Sequence, residues 1–429
     1  MDSAHFAGFL KAYLENSQHL HHPKFIGHQV SAPHYAAGIA DFIHGIINNP
    51  MAIYEMGPSA ATIEKVLVNW MLQKVGWLKG DSLTEADSSK TQGDGVFTHG
   101  GSVANLTALL AARAKIAPDA WTEGNPSDLA VMAPEVSHYS IARTVSIMGM
   151  GSKAIAPVRV NEKEVLDPDN LYPVYQQLKA EGKRVMAVVA NACATSTGLY
   201  DPITEIGLFC KENGLWFHVD GAHGAAALIS EKERGLLKGA EMADSMIWDA
   251  HKMMQTSSLS TAVLFKDYKA LHHTFNQKGS YLFFEKDQIG VDVISKAVEC
   301  TKAALGTKLF LALAVTGEKG MAEFIEGRYA ITKAFHDLIH NHPDFECPYY
   351  PESNVLCFRY TKYGLDNDFQ LKIRNELVKR GNFFITSSIV NDIRYLRISV
   401  MNEGTNKEHI QELLLDIEHV AADLINRKV

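Results

Sequence analysis

Between residues 96 and 265, short charge-poor segments alternate with helical stretches, and no other feature constrains the fold as tightly. Val96-Phe97-Thr98, Leu129-Ala130-Val131-Met132, residues 185–190, residues 215–220, Ser245-Met246-Ile247-Trp248 and residues 261–265 read as strands. Helical patterns fill the intervals at 102–115, 138–148 and 203–213. The 185–190 segment carries no charge, as expected of a strand covered on both faces. Strands alternating with helices form a mostly parallel sheet packed between helices. With 429 residues, 46% of them apolar, the chain can bury one large core and a second, smaller one.

The flanks read differently. Residues 1–20 form a short amphipathic helix with Phe6, Phe9, Leu10, Tyr13 and Leu14 on its apolar face. That face packs either on the body of the chain or on a dimer partner. Residues 59–75 have helical spacing, and 80–95 read as a polar surface loop. A long helical region is expected at about 291–340. After it come a strand at 355–360, a helix at 368–380, strands at 383–386 and 395–399, and a helix at 406–426. The expected division is an N-terminal segment (1–58), a large domain (59–320) and a small α+β domain (321–429).

Charge and cysteine usage remove several function classes. The balance of 41 basic and 49 acidic residues gives −8, without the basic stripe of a nucleic-acid binder. Cys193, Cys210, Cys300, Cys347 and Cys357 are scattered and form no CxxC pair, so neither a disulfide framework nor a zinc site is expected. The first residues lack a signal-peptide pattern, and no apolar run approaches the ~20 residues of a membrane span. A cytoplasmic protein is expected, with no membrane partner. The pairs His21-His22 and His272-His273 have no further ligand at metal spacing, so no metal is expected.

Two local patterns carry chemistry. Lys252 follows His251 directly after the apolar segment 245–248, and Asp220 closes the strand-like segment 215–220. Pyridoxal phosphate (PLP) needs such a pair. The lysine holds the aldehyde as a Schiff base, and the carboxylate keeps the pyridine nitrogen protonated so that the ring is an electron sink. A solvated lysine is the bland reading of Lys252 alone. Asp220 at the end of a buried strand needs a partner in any case. Gly100-Gly101-Ser102 lies between a strand and a helix, where backbone N–H groups and the helix dipole receive a phosphate, although Gly-Gly-Ser turns also occur without one. His138 could stack on a flat cofactor ring or be a polar residue at a helix start. Thr195 could touch the cofactor or serve a turn. Arg397 alternates with apolar neighbours on a strand, and either clamps a carboxylate or faces outward.

These residues together resemble the group II PLP-dependent amino-acid decarboxylases, the family of glutamate, cysteine sulfinate, diaminobutyrate and aromatic amino-acid decarboxylases. The resemblance runs from His22-Pro23-Lys24-Phe25 to the C-terminus. It includes Tyr54-Glu55-Met56-Gly57-Pro58, Gly93-Asp94-Gly95-Val96, Ser280-Tyr281-Leu282-Phe283, His218-Val219-Asp220-Gly221-Ala222 and Ala243-Asp244-Ser245 ahead of His251-Lys252. It implies the fold type I of PLP-dependent transferases (aspartate aminotransferase-like), an α/β fold with a mostly parallel seven-stranded sheet and a small C-terminal α+β domain. It also implies a homodimer with active sites at the interface.

By the same resemblance, Lys252 is the Schiff-base lysine and Asp220 the partner of the pyridine nitrogen. Ala222 packs under the ring and His138 stacks over it. Gly101, Ser102 and His251 serve the phosphate, Thr195 the cofactor and Arg397 the substrate α-carboxylate. The expected reaction converts an L-amino acid with an acidic or diamino side chain to its amine and CO2. Three positions depart from the family pattern: Asp249-Ala250 stands where Asn-Pro is frequent, Val291 where several relatives carry a loop tyrosine, and His28 near a position that is glutamine in acidic-substrate enzymes. Asp249 bears on a phosphate contact and His28 argues against a simple glutamate assignment, while Val291 leaves open a carbon–carbon lyase or an oxidatively deaminating aldehyde synthase on the same fold. A non-catalytic homologue is the reading outside enzymes.

Overall fold

In the computed structural model the described residues are 2–78, 83–275, 290–364 and 366–427, so the Ser280–Phe283 motif lies outside them. Seven strands form the central sheet: β1 (Asp94–Thr98), β2 (Leu129–Pro134), β3 (Ile155–Val158), β4 (Arg184–Asn191), β5 (Phe217–Asp220), β6 (Ser245–Asp249) and β7 (Thr261–Phe265). Their order is β1-β7-β6-β5-β4-β2-β3, and β7 alone runs against the others. This is the mostly parallel sheet that the charge-poor segments predict. Every residue of β2, β5, β6 and β7 is buried, because helices cover both faces and no alternation with polar positions is needed. Two apolar clusters flank the sheet, one containing Trp70, Phe217 and Trp248, the other Leu109, Val131 and Phe265.

A second, antiparallel sheet is built from β8 (Phe345–Glu346), β9 (Val355–Tyr360), β10 (Thr386–Val390) and β11 (Ile393–Ser399), in the order β10-β11-β9-β8. The helices Asn367–Arg380 and Lys407–Asn426 cover it over a third core that includes Phe335, Phe358, Ile373 and Leu413. The helix Leu305–His340 reaches from the first unit to the second and is interrupted at Gly317, whose φ is 69°.

Several expected elements are corrected. Residues 291–304 are not helical; the N–H groups of Val293 and Ile294 donate to the carbonyl of Ala52, and Lys296 and Lys302 turn inward to Asp94 and Glu64. The expected strand at 383–386 is displaced to 386–390, while Phe384 makes an isolated bridge to Phe25. In the expected loop 80–95, β1 begins at Asp94, a fully buried carboxylate beside Lys65 and Lys296. Helices at Tyr35–Ile47 and Leu171–Ala180, and strand β3, have no counterpart in the sequence reading. No residue of the first helix, Ser3–Glu15, is buried in the single chain.

Candidate active site

Three neighbouring parallel strands end on buried polar residues: β4 on Asn191, β5 on Asp220 and β6 on Asp249, with 3%, 7% and 2% exposure. A parallel sheet gathers strand ends and helix starts along one edge, where ligands of such sheets bind. The helix Gly101–Ile116 starts there after Gly100, whose φ of +99° only glycine adopts freely. No side chain caps this helix, and the N–H groups of Gly101 and Ser102 have no backbone partner among the described residues, which leaves them for an anion.

A cavity of about 210 Å³ lies at this edge. Gly101, Ser102, His138, Thr195, Asp220, Ala222, His251 and Lys252 all line it, although the sequence places them across some 150 residues. Asn105, Ser140, Asn191, Cys193, His223, Ile247 and Asp249 complete the lining. A larger cavity of about 750 Å³ borders Trp216 and Asp244, the residues just before β5 and β6. It sits at the wrong strand ends for the sheet's ligand edge, and Lys252 and Asp220 do not line it.

A chain of buried hydrogen bonds holds Asp220. Trp216 Nε1 donates to Ser245 Oγ at 2.9 Å, and that hydroxyl pairs with His218 Nδ1 at 2.9 Å. His218 Nε2 meets Asn105 Oδ1 at 2.9 Å, and Asn105 Nδ2 donates to Asp220 Oδ2 at 3.0 Å and to Ser140 Oγ at 2.9 Å. Since the Asn105 amide donates with its nitrogen, His218 carries its proton on Nε2. The Ala222 N–H binds the other Asp220 oxygen at 3.2 Å. Ser140 Oγ, already an acceptor from Asn105, pairs with His138 Nδ1 at 2.8 Å. Asn105 therefore orients both Asp220 and His138. Burial lowers the His138 pKa further than Asp220 raises it, and burial takes His218 down to about 4, so both rings are neutral at pH 7.

Lys252 lies opposite. Its Nζ is 3.1 Å from Asp249 Oδ2, and Thr261 Oγ1 donates to Asp249 Oδ1 at 2.6 Å. Burial opposes the charge on Lys252, but Asp249 and Asp220 outweigh it and hold its pKa above the ordinary value. Burial likewise opposes the charge on Asp249; Lys252 and His251 outweigh it and pull its pKa down. His251 Nδ1 bonds to the backbone of Ser260 at 2.9 Å, and its Nε2 is 3.6 Å from Asp249.

Arg397 is buried but does not line the cavity. Its guanidinium donates to the carbonyls of Thr195 at 2.8 Å, Ser196 at 3.2 Å and Gly27 at 3.3 Å, so it sits directly behind Thr195. The His28 ring packs against Phe384 at 5.4 Å; burial lowers its pKa, and Arg397 and Arg374 lower it further. Val291 is half-buried near Tyr268 and His272, away from the Lys252 cavity.

The site fits a pyridoxal phosphate by its own chemistry. An uncapped helix start faces a half-buried lysine and a buried carboxylate. One buried polar atom of the lining, His223 Nδ1, has no hydrogen-bond partner among the described residues. Sequence reasoning missed Asn105 and His223, whose roles depend on partners more than 100 residues away.

Comparison with known proteins decides the family. The model of the pyridoxal-dependent decarboxylase conserved domain matches residues 11–361. The chain belongs to this family. Similar members include the acidic amino acid decarboxylase GADL1 of Bos taurus, 27% identical over 422 residues that cover 94% of this chain and 78% of that protein. The L-2,4-diaminobutyrate decarboxylase of Acinetobacter baumannii is 26% identical over 430 residues, 95% of this chain and 82% of that one. A crystal structure of mouse CSAD in apo form superposes with a TM-score of 0.90 at 26% identity, covering 98% of this chain and 89% of that one. The fold is thus that of PLP-dependent decarboxylases, fold type I, and the cofactor of this decarboxylase is pyridoxal phosphate.

Proposed function

We propose that this PLP-dependent decarboxylase converts a small acidic L-amino acid to its amine and CO2. The observation that carries the substrate class is the positive charge behind Thr195. Arg397 donates to the Gly27 carbonyl and Arg374 lies over the Phe384 ring on which His28 packs, so two guanidinium groups flank His28 and favour a substrate with a second carboxylate. Relatives named for acidic amino acids and for 2,4-diaminobutyrate support the same size range, with the diamino acid as the competing substrate.

Bound pyridoxal phosphate supplies the electron sink for the bond to CO2. The protein supplies position and charge. The first turn at Gly101 and Ser102 offers N–H groups and a dipole to the phosphate, with His251 beside it. Asp220, fixed by Asn105 and the Ala222 N–H, would hold a proton at the ring nitrogen. Neutral His138 and Ala222 would bound the ring with Thr195 beside them, and Arg397 would take the substrate α-carboxylate. Lys252 provides the amine that anchors the cofactor, with Asp249 holding its charge when it is free.

The same reading makes the protein a cytoplasmic homodimer of two-domain subunits, with residues 59–320 and 321–429 as the domains and residues 1–58 lying on the partner. The exposed apolar side chains of Phe6, Phe9, Phe42 and Ile46 support that arrangement.

Release of CO2 across aspartate, glutamate, cysteine sulfinate, 2,4-diaminobutyrate, ornithine and lysine tests the substrate class. The highest kcat/KM belongs to an acidic substrate. A preference for a diamino acid overturns the acidic reading and leaves the decarboxylase intact.

A further inference from the structure

His223 enters the cavity with its hydrogen-bonding state already fixed. It is 3% exposed, and its Nε2 lies 2.6 Å from Asn354 Oδ1. Asn354 spends its amide N–H groups on the Val400 carbonyl and the Met401 sulfur, both at 3.1 Å. Its oxygen is therefore the acceptor, and His223 Nε2 carries the proton. Nδ1 is left as a bare lone pair, buried and without a partner among the described residues, on a residue that lines the Lys252 cavity. Burial and the nearby charge of Lys252 hold the ring pKa at about 3, so it stays an acceptor throughout the physiological range.

Among the described residues that line the cavity with His223, Lys252 is the one lysine or arginine, and Arg397 does not line it. Lys252 has Asp249 as its ion-pair partner, and an ammonium carries three N–H groups. We propose that His223 is a positioning residue for Lys252: its Nδ1 receives an N–H of the lysine amine when that amine turns away from Asp249. Lys252 then has two seats, one against a carboxylate that holds it charged and unreactive, the other against a neutral ring that holds it without taking its proton. The second seat keeps the amine in the cavity where the cofactor aldehyde arrives. The proposal rests on the assignment of Lys252 as the cofactor lysine.

Two substitutions separate the two ring nitrogens. His223→Asn keeps an acceptor near the position of Nδ1, and His223→Gln keeps the contact to Asn354 while removing that acceptor. The rate at which apoenzyme and pyridoxal phosphate form their visible absorbance band reads Lys252 directly. Binding of pyridoxine 5′-phosphate, which lacks the aldehyde, reads the rest of the cofactor site. The expected result is a rate about tenfold lower in His223→Gln, the worth of one hydrogen bond to a charged group, with the wild-type rate largely retained in His223→Asn and unchanged pyridoxine phosphate affinity in both. Equal rates in wild type and His223→Gln overturn the proposal. So does a parallel loss of pyridoxine phosphate affinity, which makes His223 a cofactor contact. A wild-type protein that forms no band at all contradicts the assignment of Lys252 as the cofactor lysine instead.

Discussion

The side-chain amide of Asn105 donates to the Asp220 carboxylate at 3.0 Å while its oxygen receives the His218 Nε2 proton at 2.9 Å. A residue four places into a helix thus sets the direction of a carboxylate on a strand 115 residues later. The same amide reaches His138 through Ser140, so the group meant for the ring nitrogen and the group meant for the ring face share a single support.

Asn105→Ala leaves His218, Ser140 and Asp220 each short of a partner inside the core. We expect a loss of about 2 kcal/mol in stability, the cost of buried groups left unpaired, together with weaker cofactor retention. Denaturant unfolding of the apoenzyme and a dialysis assay for bound cofactor check the two effects separately. Unchanged stability contradicts the hub role.

Acid should weaken the fold through buried histidines. Burial takes His218 from 6.5 to about 4 and His223 from 6.5 to about 3. The unfolded chain binds protons below pH 6.5 that the folded chain refuses, so stability falls as pH drops from 6.5 towards 4. Asp201, raised by burial to about 6, works the other way, because the folded chain keeps a proton that the unfolded one releases. Two imidazoles outweigh one carboxyl, leaving a net loss of order a few kcal/mol across the window. Urea unfolding at pH 7 and pH 5 measures it, and His218→Gln should flatten the slope.

The segments legible from sequence are those whose pattern is local. The strands at 185–190 and 245–248 are apolar because both faces are covered, and Lys252 and Asp220 stand at their family-like places beside such strands. Residues 291–304 misread as helix because Val293, Ile294 and Ala297 share helical spacing. Their fate is set instead by Ala52, which takes their N–H bonds, and by Asp94 and Glu64, which draw Lys296 and Lys302 inward. Asn105 and His223 were invisible for the same reason: each is explained only by partners that the fold brings from 113 to 131 residues away.

Removal of Arg397 should separate binding from folding. Arg397→Lys keeps a charge but loses the planar fork that reaches the Thr195, Ser196 and Gly27 carbonyls. A rise in KM of roughly tenfold or more is expected, as for a lost charge-assisted hydrogen bond, with pyridoxal phosphate still bound. Steady-state kinetics decide it; an unchanged KM removes Arg397 from the substrate site.

Assembly is tested at the exposed apolar helices. Phe42 is 69% and Ile46 67% exposed in the single chain. Phe42→Glu with Ile46→Glu should shift the species seen by light scattering from twice the chain mass of 47.3 kDa to a monomer with little activity. A wild-type monomer that is fully active contradicts the shared-site reading.

The central claim is that Lys252 and Asp220 hold pyridoxal phosphate for decarboxylation. Borohydride reduction of the purified holoenzyme, followed by peptide mass spectrometry, tests it most directly. The account predicts the reduced pyridoxyl group on Lys252, its absence in Lys252→Ala, and loss of CO2 release in both preparations. A label on another lysine, or CO2 release that survives in Lys252→Ala, contradicts it.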